Sequence, residues 1–194
     1  MSLEVQKTQS WYPWDFTTAP SLLAGAAAGA GISKFDNKVV WQIFQKNAPK
    51  PLQTSALSVL KHAKAGNSRS LAAAGLRVNF LFPVLEESIY RGLIYEWQKE
   101  ETGTFHENRK DDELSKLKNI AANAALFAVS HFDWKIGMKN SLKLMPGMFA
   151  AGTVFCGLAE ISGNLWAPTA AHITANTLNF QALLNSAKKV PGKL

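Results

Sequence analysis

No apolar stretch in this chain runs for roughly 18 residues without a polar interruption, the usual mark of a simple spanning helix. Four stretches are nevertheless long enough for helices. Arg77 and Asn79 interrupt one, Asn123 another, and His172, Thr174 and Asn176 a third. Polar groups in apolar helices are costly, so they persist mainly where they are paired and used. The pattern therefore argues against a simple anchor and is compatible with short helices that enclose a polar site.

The apolar segments cover about 71–97, 118–132, 145–161 and 165–185. A charged linker (98–117), a lysine-bearing loop (133–144) and a tight Ser162-Gly163-Asn164 turn join them. None shows period-2 alternation, so the chain reads as all-α. Ahead of them, Pro20 to Ile32 reads as an alanine- and glycine-rich helix with Gly25-x-x-x-Gly29 as a close-packing face. Amphipathic helices are expected around Val39–Phe44 and Thr54–Lys64. Trp11, Tyr12, Trp14 and Phe16 form an aromatic cluster suited to a membrane interface or a packed arm. Three regions follow: 1–70, an N-terminal arm with amphipathic helices; 71–185, a helical core; and 186–194, a basic tail.

Composition narrows the partners. A chain of 194 residues suits one domain. Its mean hydropathy of -0.06 is low for a protein that crosses a bilayer many times. The net charge of +7 would suit an anionic membrane surface or nucleic acid. The lysines are scattered without the aromatic-basic alternation of a nucleic-acid groove, so no nucleic-acid partner is expected. They also lie at similar density in 33–70, 98–118, 133–144 and the tail, which leaves orientation in a membrane open. The single cysteine, Cys156, excludes an internal disulfide and reads as a buried small hydrophobe. The first nineteen residues lack a signal-peptide pattern.

The candidate chemistry begins with Glu86-Glu87-Ser88-Ile89-Tyr90-Arg91. Glu87 and Arg91 are four apart with the acid first, the favourable order for a helical ion pair. Glu86 points about 100° away and stays outside that pair, as a general base requires. His131 closes an apolar segment with Phe127 one turn earlier on the same face. His172 and Asn176 are also four apart, so an imidazole and a carboxamide share one face and could both donate to an oxyanion. Each feature alone has an ordinary reading: a surface salt bridge, a hydrogen-bonded core histidine, a polar network near a helix start.

Together they resemble the CPBP family, the CAAX prenyl proteases and bacteriocin-processing enzymes also called the Abi domain. That family carries Glu-Glu-x-x-x-Arg, Phe-x-x-x-His and His-x-x-x-Asn on successive helices. Here these stand as Glu86-Glu87-Ser-Ile-Tyr-Arg91, Phe127-Ala-Val-Ser-His131 and His172-Ile-Thr-Ala-Asn176. Phe82-Pro83, Gly92 and Asn164-Leu-Trp-Ala-Pro-Thr flank them in the family manner, and the likeness covers about 71–185.

The resemblance implies a membrane-embedded bundle with a polar catalytic cavity, and an endopeptidase of integral membrane location; the small chain without eukaryotic targeting features points to a bacterial inner membrane. Its partners would be the lipid bilayer and a peptide or protein substrate. Carried over, Glu86 would activate a water with help from His131. His172 and Asn176 would form the oxyanion hole, and Glu87 and Arg91 would position the site. A metal-free glutamic mechanism is favoured, with zinc held by Glu86, His131 and His172 as the alternative. Two other readings are a non-catalytic membrane protein that binds peptides or confers bacteriocin immunity, and a soluble helical binding protein.

Overall fold

The computed structural model describes residues 18–47, 68–101, 109–134 and 137–188. Among them every regular element is helical and there is no strand, as the patterning leads one to expect. Helix α1 spans Thr18–Asn47. Helix α2 is one path over residues 68–101, in which two wider π segments, Arg77–Leu81 and Ser88–Tyr95, interrupt α-helical turns. Helices α3 (Arg109–Ser130), α4 (Met138–Ser162) and α5 (Trp166–Lys188) complete the bundle.

The helices outrun their apolar stretches. The segments expected at Pro20–Ile32 and Val39–Phe44 merge into α1, α2 and α3 extend into the expected linker, and α4 begins inside the expected 133–144 loop. Apolar periodicity marks the packed part of a helix, whereas its solvated ends carry polar residues that read as linker. The Thr54–Lys64 helix and the Trp11–Phe16 cluster lie outside the described residues.

Small residues set the helix spacing. A Cβ at Gly25 would fall on the Ala167 carbonyl and one at Gly29 on the Ala171 carbonyl, so α1 lies in backbone contact along α5, parallel to it. Such seams let helices pack by close van der Waals contact where lipid offers no hydrophobic drive. Gly29→Ala should therefore lower the melting temperature in detergent, by about 1–3 kcal/mol of overpacking. Gly31→Ala, with nothing near the new methyl, should not. Equal melting of the two variants would remove the seam from the account.

The turn into α5 is built as its sequence suggests. Gly163 takes the left-handed conformation (φ 64°) and its N–H caps the Ala159 carbonyl. Asn164 Oδ1 then accepts from the N–H of Trp166 at 2.9 Å and caps the start of α5.

What lies inside is unusual for a water-soluble bundle. Glu87, Arg91, Asn123 and His172 are buried, while Leu23, Phe80, Leu81, Leu85, Leu93, Trp97 and Ile161 are exposed. Apolar surface outward and paired charges inward is the arrangement a bilayer selects. By length and mean hydropathy one described helix, Met138–Ser162, qualifies as a membrane span.

Candidate active site

Pro83 shapes the turn that carries the acids. It has no N–H, and its ring disfavours the regular α register one turn back. The chain answers with the π segment Arg77–Leu81, in which the Phe82 N–H reaches back to the Arg77 carbonyl. The next donor in that register would be Pro83 itself, which has none to offer Val78. Asn176 fills the gap: its Nδ2 donates to the Val78 carbonyl at 3.0 Å. One amide hydrogen of Asn176 thus holds α5 to α2, and the second remains for another acceptor.

Four turns of helix contribute the core of the site. Arg91 Nη1 donates to Glu87 Oε1 at 3.2 Å, with both side chains fully buried, and Nη2 donates to the Gly152 carbonyl of α4 at 3.0 Å. The guanidinium also lies 4.7 Å from the Phe127 ring centroid, so α2, α3 and α4 are pinned by one side chain. Glu87 Oε1 accepts a second hydrogen bond from His172 Nδ1 at 2.8 Å. A carboxylate only accepts, so the Nδ1 proton is fixed and Nε2 of His172 turns toward Glu86.

His131 is oriented the same way. Its Nδ1 donates to the Phe127 carbonyl at 2.7 Å, leaving Nε2 to face Glu86. Glu86 Oε2 then lies 3.7 Å from Nε2 of His131 and 3.7 Å from Nε2 of His172. That oxygen is buried and accepts no hydrogen bond from the protein. Phe127 tilts against the His131 ring, and Phe155 stacks on His172 with centroids 4.7 Å apart. The rings are thereby held by packing as well as by their Nδ1 bonds.

The structure brings Glu86, Glu87, Arg91, His131 and His172 together. Asn176 stands one turn beyond His172 on α5 and is tied to the Val78 carbonyl. Sequence reasoning missed Asn123. It is fully buried on α3, and its Nδ2 donates to the Tyr90 carbonyl at 2.7 Å inside the second π segment. Two carboxamides from neighbouring helices therefore bracket the acid pair on α2. An asparagine interrupting an apolar helix was the available signal.

Among the described residues no three His, Cys, Asp or Glu side chains stand so as to hold a metal ion. The hydrolytic steps proposed below are assigned to Glu86, His131, His172 and Asn176 themselves.

An all-helical bundle with ionised side chains inward, apolar ones outward and a carboxylate facing two oriented imidazoles has the form of an intramembrane hydrolase. Residues 68–178, more than half the chain, match the type II CAAX prenyl endopeptidase Rce1-like family, and the chain belongs to it. The resemblance to the CPBP group is thereby borne out, and with it membership of a membrane-embedded protease family. No curated protein and no solved structure matches the chain.

Proposed function

We propose that this chain is a membrane-embedded endopeptidase of the CAAX-protease and bacteriocin-processing type, working in a bacterial inner membrane with Glu86 as its general base. One observation carries the reading: a single Glu86 oxygen without a protein hydrogen bond faces Nε2 of two histidines whose Nδ1 atoms are committed elsewhere. A water bound to Glu86 Oε2 and His131 Nε2 would be held for attack. As its oxygen bonds to the peptide carbonyl carbon, its proton passes to Glu86. The carbonyl oxygen takes the negative charge beside His172 and the second amide hydrogen of Asn176. Glu86 then gives the proton to the leaving amine as the C–N bond breaks.

For His172 to donate through Nε2 it must carry a proton on both ring nitrogens, and Glu87 is the counter-charge in contact with it. The neighbouring acids therefore divide the work. Glu87 is locked by Arg91 and orients His172, whereas Glu86 is left to exchange protons.

The test is hydrolysis by the purified chain in detergent, scored on a set of quenched fluorescent peptides with and without a zinc chelator. Cleavage should persist with chelator. Asn176→Ala should lower kcat by about 10²–10³ with KM nearly unchanged, the usual effect of losing an oxyanion donor. A rise in KM at constant kcat would make Asn176 a substrate-binding residue. Tight peptide binding with no cleavage would make the chain a binding or immunity protein on this fold.

A further inference from the structure

Charge looks evenly spread along the sequence, but the fold sorts it. α5 runs parallel to α1 and antiparallel to α2, and α3 runs antiparallel to α2 and α4, as the pairs Gly29–Ala171, Gly92–Leu165, Asn119–Gln98 and Ser141–Asp133 show. One end of the bundle therefore collects the C-terminal part of α1, the start of α2, the α3–α4 loop and the start of α4. Lys34, Arg69, Arg77, Lys139 and Lys143 stand exposed there, and the acids on the described elements at this end are Asp36 and Asp133. None of the five cations pairs with an acid among the described residues.

The opposite end has the reverse character. It carries Glu96, Glu100, Glu101, Asp111, Asp112, Glu113 and Glu160 with Lys99, Arg109, Lys110, Lys116 and Lys118, so acids outnumber bases there. Lys99 contacts Glu96 at 2.6 Å and Glu160 at 3.9 Å, and Lys116 lies 3.9 Å from Glu160. The connecting sequences follow suit. Residues 48–67, which join two helix ends at the basic side, contain Lys50, Lys61 and Lys64 and no acid. Residues 102–108, which join two at the other side, contain Glu107 and no lysine or arginine.

Between the ends lies an apolar band of membrane dimensions. Leu81, Leu85, Ile89 and Leu93 face outward along α2 between Arg77 and Trp97. Twenty residues of regular α-helix rise about 30 Å, the depth of a hydrocarbon core, and the wider π turns of α2 take up somewhat less. Exposed Trp134 marks the basic edge, and exposed Trp97 and Trp166 mark the other, as aromatic side chains do at lipid–water boundaries.

We infer that the end bearing Lys34, Arg69, Arg77, Lys139 and Lys143 docks on the anionic headgroups of the cytoplasmic leaflet, which fixes the chain's orientation in the membrane. Lysines and arginines beside a span are held at a negative leaflet, whereas the end that carries fewer of them crosses the bilayer more readily. The inference rests on membrane embedding and not on catalysis, so it can fail while peptide hydrolysis stands.

The experiment is labelling of bacterial cells with a membrane-impermeant maleimide. Cysteines are placed singly at Lys143 and at Glu100 in the otherwise natural chain, whose own Cys156 is buried and gives the background. Lys143→Cys should label only after the cells are permeabilised, and Glu100→Cys should label in intact cells. The reversed pattern overturns the inference, as does protection of both sites or equal labelling of both in intact cells. Adding Lys34→Glu, Lys139→Glu and Lys143→Glu to the Glu100→Cys chain should remove its single orientation, with a loss of intact-cell labelling at unchanged membrane content. Unchanged labelling would show that the basic face does not set the orientation.

Discussion

Glu86→Gln should lower kcat on a cleavable peptide by about 10²–10⁴, the span associated with losing a positioned general base. The amide keeps the size of the carboxyl and can still fill the space between the two imidazoles, so KM should change little. Its nitrogen end cannot accept the water proton, and its oxygen is far too weak a base to do so. The melting temperature in detergent should hold, because Glu86 Oε2 receives no hydrogen bond from the protein and the side chain is 30% exposed. Loss of turnover at constant stability is the signature of a reacting group. An equal fall in both would make Glu86 a structural partner of the histidines.

That separation of two adjacent acids was legible in the sequence. Four-residue spacing pairs Glu87 with Arg91 and turns Glu86 aside, and the structure has Glu87 bonded to Arg91 with Glu86 facing His131 and His172. Long apolar segments with a few polar residues at helical spacing likewise forecast the all-α bundle. Helix limits were not legible, because ends such as 98–101 and 109–117 are solvated and show no apolar period. The π segments escaped for a different reason. Pro83 announces a disturbed register, but which neighbour satisfies the displaced carbonyl depends on tertiary contact, here Asn176 on Val78 and Asn123 on Tyr90. Charge sorting is topological in the same sense. Lys34, Arg69, Arg77, Lys139 and Lys143 look scattered along the sequence until antiparallel packing brings them to one end.

Arg91→Ala should be the most destabilising substitution in the site, by about 3–5 kcal/mol, since it breaks a buried ion pair from one side. The guanidinium donates to Glu87 and to the Gly152 carbonyl, and it lies against the Phe127 and Phe155 rings, so alanine leaves a carboxylate buried and three helices unpinned. Activity should fall as well, because Glu87 orients His172 from the same oxygen that receives Arg91. Arg91→Lys should recover part of the stability but little of the activity: an ammonium is a point charge and cannot direct planar donors at two acceptors on different helices. The double variant Glu87→Leu, Arg91→Leu separates the two roles. Replacing a whole buried pair by apolar side chains is often neutral for stability, so its melting temperature should rise well above that of Arg91→Ala. Its turnover should stay low, since His172 then has no acceptor at Nδ1. Melting of Arg91→Ala at the parent temperature would mean that the buried pair does not hold the bundle. Recovered turnover in the double variant would show that His172 needs no orientation by Glu87.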